Sequence, residues 1–400
     1  MTSITIRHPQ AHNGPGATDF IVKIPFFGTQ PIATLQDPKH LLKTFRNNLF
    51  SGARLLTFPT DVATFSQVQE ISMATDSPIY IRDVQKLDRQ DDNAATRLFS
   101  GSTLEWLTKN HPEHLGLIVY LFICGELIDA YQNRSLSLSA RVQLVLRAHF
   151  FIELWEKFLE VSKYPKSRHY VSPQCADITR ILIHGFLQIV IIYRDYSGDV
   201  RPLLPWLLST EVVEHVFGLC RQIVNDFTML DFHYMVPKLF IKLRQAVLSS
   251  KFSDGKARAS GYNHTYTDTR GIDIQALSLY PTNDDMNEAA VRAYGEAESL
   301  FALFGVTASD LYYEAAVPRL PSIRSWFSDS EDIDALFVGD HESGDDASGD
   351  FNDLDLTHDY QFALDVLEGA DDDLSFAQER RLMDYRYASI ALSIEEHAQM

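Results

Sequence analysis

Pro31-Ile32-Ala33-Thr34-Leu35-Gln36-Asp37-Pro38-Lys39-His40-Leu41-Leu42-Lys43-Thr44-Phe45-Arg46-Asn47 is the stretch on which the reading of this chain turns. Its first five residues are a short apolar run and read as a strand. Asp37-Pro38 then has the form of a helix N-cap followed by proline in the first turn, where the missing N–H removes no bond. Leu41, Leu42 and Phe45 supply an apolar side to that helix, while His40, Lys43 and Arg46 recur every three residues. Two readings of Asp37 follow. As a cap it contributes about 1 kcal/mol of helix stability. As a carboxylate at a strand end beside a cationic helix face, it suits a metal ion next to a phosphate backbone. Spacing alone leaves both open.

Upstream, Phe20-Ile21-Val22-Lys23-Ile24-Pro25-Phe26 reads as another strand, separated from Ile32–Leu35 by a turn around Gly28. Residues 1–18 hold His, Gln, Gly and Pro without an apolar run, so they are expected to be disordered and lack the form of a signal peptide. Downstream, about 58–204 is helical in pattern. Val142, Val145, Leu146, Phe150, Leu154, Trp155, Phe158 and Leu159 recur at helical spacing, and Ile178 to Tyr193 is apolar almost all round, as in a helix buried on several sides. Arg201 to Trp206 is a connector, and a new helix starts near Ser209 or Thr210. On that helix Val212, Val213, Val216, Phe217, Cys220, Ile223 and Val224 form the apolar face, with Glu211, Glu214, Gly218 and Arg221 opposite. Gly218, one turn from Glu214, is expected to admit a close backbone or ligand. Residues 249–284 read as a linker, 285–324 as a helical segment, 325–374 as an acidic disordered region and 375–400 as a last helix. The fold class expected is mainly α with a small β component.

The acidity is local. Ser325 to Gln378 contains 17 Asp or Glu and no Lys or Arg; removing those 17 charges from the chain's −19 leaves about −2 for the rest. Within the tail, Glu331–Phe337 and Asp359–Asp365 mix acids with aromatic and aliphatic residues, as in segments that order on a protein partner. Cys124, Cys175 and Cys220 are odd in number and roughly fifty residues apart. They fit neither a disulfide framework nor a zinc motif, so an intracellular compartment, nucleus or cytoplasm, is expected. No other Cys/His cluster, Walker-type phosphate loop or nucleophile elbow is visible. His149, His184 and His233 sit in apolar helical contexts and read as core or boundary residues. The apolar run Leu115–Cys124 is shorter than the ~20 residues a membrane span requires, so no membrane association is expected.

Three blocks carry a resemblance to a known family. Asp37 to Asn47 resembles the second-aspartate motif of P-element-type transposases and their THAP-associated relatives, an Asp-x-x-His-x-x-Lys-x-x-Arg-Asn pattern after a core strand. Asp83 to Ser100 is similar to the helical segment that follows there. Glu214-His215-Val216-Phe217-Gly218-Leu219-Cys220-Arg221 resembles the segment carrying the family's last acid. The resemblance spans residues 31–245. It implies a partial RNase H-like core at 19–248 interrupted by the large all-α insertion, with Asp37 and Glu214 as catalytic and metal-binding acids. Glu211 competes with Glu214. Mg²⁺ is the implied cofactor wherever the site is intact, and DNA the implied partner. His40, Lys43, Arg46, Arg221, Lys238, Lys242 and Arg244 are the candidate nucleic-acid contacts. In this family three carboxylates hold two metals that drive strand cleavage and transfer. Only 36 residues precede Asp37, and Asp19 stands before a strand rather than after one. The first aspartate is therefore unassigned, and the expectation is a transposase-derived protein without catalysis of its own. The alternative is a non-enzymatic helical interaction protein whose acidic tail recruits partners.

Overall fold

The computed structural model describes residues 2–7, 19–85, 89–198, 201–250 and 272–312. They form two compact bodies, one from residues up to 210 together with 272–312, the other from residues 211–250. The acidic region and last helix expected beyond 324 lie outside the described residues, as does most of the expected linker.

The first body is mainly helical. At its centre lie α6 (Leu115–Gln132), α7 (Leu138–Val161), α9 (Pro173–Tyr196) and α12 (Asn283–Ala302). α6 and α9 are long and apolar enough to cross a membrane by length and composition, although most of each is buried here against other helices. Helical phenols bury only because their hydroxyls find carbonyls: Tyr120 donates to Phe45 O at 2.9 Å and Tyr131 to Leu182 O at 2.6 Å. Phe58 stacks between Trp155, at 4.7 Å, and Phe304, at 5.0 Å. A polar chain joins three helices inside this core. The Arg147 guanidinium pairs with buried Glu126 and reaches Glu296 at 2.9 Å, and Gln143 donates to Glu296 at 2.6 Å. α13 (Ala308–Tyr312) closes the described part of this body.

The strands pair two at a time among the described residues. β1 (Thr2–Ile6) runs antiparallel to β2 (Phe20–Ile24), with Ile4 opposite Val22 and Ile6 opposite Phe20. Disorder was the expectation for residues 1–18; over 2–6 the alternating β-branched residues instead form an edge ladder. β2 buries Phe20, Val22 and Ile24 on one face, and Phe20 sits between His149 of α7 and His184 of α9. The short β3 (Phe26–Phe27) and β4 (Gln30–Pro31) turn at Gly28, whose positive φ of 61° favours glycine. β5 (Leu56–Thr57) and β6 (Val62–Ala63) form a third ladder.

Ile32–Leu35 is not a strand. Ile32 N–H bonds Pro25 O at 2.9 Å, but the run forms no ladder and meets α9: Thr34 N–H donates to Gln188 Oε1 at 3.0 Å, and Gln188 Nε2 donates to Lys23 O at 2.7 Å. An extended apolar run reveals nothing about whether its partner is a strand or a helix. Gly185 makes this docking possible, because a Cβ there would lie 2.2 Å from Thr34 O.

The second body is a helical hairpin, α10 (Glu211–Ile223) and α11 (Met229–Ser250), turning at Asn225–Thr228. Its buried core is small: Cys220, Met235 and Leu239, with Val216, Leu219, Ile223, Val224, Phe227, Phe232 and Leu243 packed around them.

Candidate functional site

α1 (Pro38–Phe50) begins as its sequence suggests, with Asp37 as N-cap and Pro38 in the first turn. Asp37 Oδ1 accepts the Lys39 N–H at 2.8 Å, which fixes the first turn. Oδ2 is taken by the other end of the connector: it accepts Thr210 N–H at 3.0 Å, Thr210 Oγ1–H at 2.7 Å and Ser209 Oγ–H at 3.1 Å. Burial raises the carboxyl pKa, but these donors outweigh it and hold the group below its ordinary value. A carboxylate facing four N–H and O–H donors fits a structural clasp. For Mg²⁺ to use Oδ2, at least one of its three bonds must be given up and a donor left unpaired, whereas Oδ1, with one bond, keeps a lone pair. The donor set around Asp37 therefore engages Oδ2 fully and leaves only Oδ1 able to take an ion without losing a bond.

The cationic side of α1 is not a free phosphate-binding face. Arg46, expected to contact nucleic acid, is 1% exposed: it donates to Asp83 O at 2.9 Å and lies over the Phe50 ring. Asp83, in α3 (Ile81–Gln85), is gripped in turn by Arg97 of α4 (Asp92–Leu98) through two bonds of 2.8 and 2.6 Å, and it accepts the Tyr80 N–H. Burial of Arg46 removes it from any surface contact, and its +3 spacing from Lys43 gave no hint of that. Lys43 pairs with Asp92 at 3.1 Å. His40 is exposed.

Glu214 and Arg221 lie on α10, in the second body, with Glu214 exposed and Arg221 half-buried. Gly218 has no heavy atom within 4 Å of where a Cβ would stand, so the expected close approach is not made. Two residues of the predicted apolar face of α10 are uncovered: Val213 and Phe217 are exposed, whereas Val216, Cys220, Ile223 and Val224 pack inward. α11 presents more. Met229 is 73% exposed, Tyr234 79% and Phe240 68%, with Leu230 and Ile241 also exposed. At 100° per residue, Leu230, Tyr234 and Ile241 form a stripe opposite the buried Met235 and Leu239. Lys238 and Lys242 flank the stripe on one side, Met229, Phe240 and Arg244 on the other. His233, expected in a core or boundary position, is exposed on this surface. Large apolar side chains held in water beside cations are the signature of a contact surface, and helical periodicity, which assigns them to a core, does not distinguish the two.

Comparison of the chain with known protein families, with curated proteins and with solved structures finds no match.

Proposed function

We propose that this chain is a non-catalytic helical binding protein whose docking element is the α10–α11 hairpin, and that its partner is a protein segment that is both acidic and apolar. The observation that carries this reading is the exposed Leu230–Tyr234–Ile241 stripe flanked by Lys238, Lys242 and Arg244. None of these three cations makes an ion pair with another described residue. An amphipathic acidic segment would cover the apolar stripe and place carboxylates against the cations on its flanks. The clasp at Asp37 supports the non-catalytic half of the reading, since it engages one oxygen of the second acid that the resemblance implies for metal binding.

The probe is a fluorescent peptide spanning residues 329–340, which has this chemistry, titrated into the full chain and into a chain lacking 325–378. Saturable binding is expected, tighter in the deleted chain because its own acidic segment no longer competes. Tyr234→Ala with Ile241→Ala weakens it about tenfold or more, as loss of two anchors does. Binding unchanged by those substitutions, or absent from both chains, overturns the proposal.

A second reading, a transposase-derived DNA-binding chain built on a reduced RNase H-like core, is favoured by one observation. The first two blocks that carry the resemblance, 37–47 and 83–100, pack into one knot through Arg46, Asp83 and Arg97. Under it Lys238, Lys242 and Arg244 face phosphates, and affinity for a DNA duplex falls steeply with added salt. Mg²⁺-dependent nicking lost in Glu214→Ala would establish catalysis and displace both non-catalytic statements.

A further inference from the structure

Three side chains converge in the first body at a place none of the preceding argument uses. α2 (Phe65–Ser72) carries Glu70; His111 is the C-cap of α5 (Gly101–Asn110), and His114 is the N-cap of α6. The connection between α5 and α6 is tight, with His114 N–H bonded to His111 O at 3.0 Å, and it stacks the two imidazoles in parallel, 5.2 Å apart. One possible ligand atom from each of Glu70, His111 and His114 lies within 4.8 Å of the others. His114 Nε2 is already 3.3 Å from Glu70 Oε2. Zinc with ligands at about 2.0–2.1 Å places them about 3.4 Å apart in a tetrahedron. Small side-chain rotations by the half-buried His111 close the remaining gap.

The surroundings favour a cation. His111 Nδ1 lies 3.0 Å from Glu113 Oε1, so with its proton on Nδ1 the ring is backed by a carboxylate and Nε2 is left to ligate. The positive end of α6 would oppose an ion, but Asp61 answers it, accepting Gly116 N–H and Val62 N–H at 2.7 Å each. Two imidazoles and one carboxylate suit zinc-class ions and not the hard ions Mg²⁺ or Ca²⁺. Each imidazole has its own carboxylate partner, Glu113 for His111 and Glu70 for His114, yet a ligand atom of His111 still lies within 4.8 Å of both Glu70 and His114.

We propose that Glu70, His111 and His114 form a site for a divalent transition ion of the zinc class, with the remaining coordination positions open to water. The ion cross-links α2 to the α5–α6 connection. Gln67 sharpens the proposal. Its Oε1 accepts the Thr64 N–H at 2.8 Å, which turns Nε2 toward His114 Nδ1 at 3.4 Å. Without an ion, the His114 proton therefore sits on Nε2, facing Glu70. Loading through Nε2 moves that proton to Nδ1, where Gln67 offers only another donor. Gln67→Glu keeps the capping box, because glutamate serves there equally, and supplies the missing acceptor.

The test is equilibrium dialysis of the full chain against Zn²⁺, with Co²⁺ absorption as a second readout of the ligand set and the melting temperature as a third. One equivalent is expected to be retained, raising the melting temperature and giving Co²⁺ a ligand-field spectrum. Glu70→Ala, His111→Ala and His114→Ala each abolish all three effects, while helix content by circular dichroism stays unchanged because Glu70 is exposed and neither histidine caps its helix through the side chain. Gln67→Glu tightens binding about tenfold or more, the scale of second-shell effects. Zn²⁺ uptake equal in the triple-alanine variant, or no uptake at all, overturns the proposal. The outcome is independent of the hairpin, since a peptide-binding failure leaves this site untouched and the reverse also holds.

Discussion

Asp37 shows what a residue does once all its partners are named. Its capping of α1 is legible in Asp37-Pro38, but Thr210 and Ser209, more than 170 positions away, are not. The two jobs separate experimentally. Asp37→Ala removes both and is expected to cost about 1–3 kcal/mol, the sum of a lost cap and lost charge-assisted bonds. Asp37→Asn keeps Oδ1 for Lys39 but turns an NH₂ toward the Thr210 donors, so most of the loss persists. A denaturant midpoint for Asp37→Asn equal to wild type would refute the clasp. His169 makes a second residue-scale case. It is buried, bonded through Nδ1 to Thr57 Oγ1 at 2.9 Å beside Tyr164 and Arg168, and burial pushes its pKa down to about 4. Because the folded pKa lies below the unfolded value of about 6.5, the unfolded chain binds the proton first. Stability contributed by the neutral ring is full above pH ~6.5 and is lost as pH falls toward 4, by at most about 3 kcal/mol before solvent screening. His169→Gln should flatten the stability–pH profile in that window; an unchanged slope between pH 6.5 and 4 would rule the assignment out.

At the scale of elements, helices follow from periodicity and strands do so less well. α7 and α9 run close to where apolar spacing places them, because a stripe recurring every three to four residues has few other uses. Arg46 escaped the same logic: its three-residue spacing from Lys43 says nothing of whether a carbonyl and a phenyl ring await it inside. His111 and His114 stand three apart in plain view, yet their third partner is Glu70, more than forty positions earlier. Such convergence is a property of packing. Ile32–Leu35 shows the same limit, since its partner is a helix. Gly185 then becomes the residue on which that contact depends. Gly185→Ala puts a methyl 2.2 Å from a backbone oxygen, so the segment must move off α9 and loosen the Gln188 bonds to both Thr34 and Lys23. A loss of about 1–3 kcal/mol, the usual cost of overpacking, is expected in chemical denaturation. In an exposed helix the same change would gain about 1 kcal/mol. The sign of the effect decides whether the contact exists.

Across the whole molecule, the two bodies differ in how much apolar surface they bury on their own account. The first has a continuous core running through α1, α6, α7, α9 and α12, with Glu126, Arg147 and Glu296 linking three of those helices. The hairpin has three fully buried apolar residues and a ring of half-buried ones, while much of its apolar surface faces water. Local stability follows buried apolar contact, so opening the hairpin should require far less free energy than opening the first body. Hydrogen exchange read by mass spectrometry is expected to show α11 amides exchanging orders of magnitude faster than those of α7 and α9. Adding a ligand that covers the Leu230–Tyr234–Ile241 stripe should slow α10 and α11 selectively, because binding to the closed hairpin stabilises it in proportion to the logarithm of ligand excess over Kd. Equal protection of α11 and α7 in the free chain would mean that the hairpin's apolar side is already covered, and the docking surface would then have to be sought elsewhere.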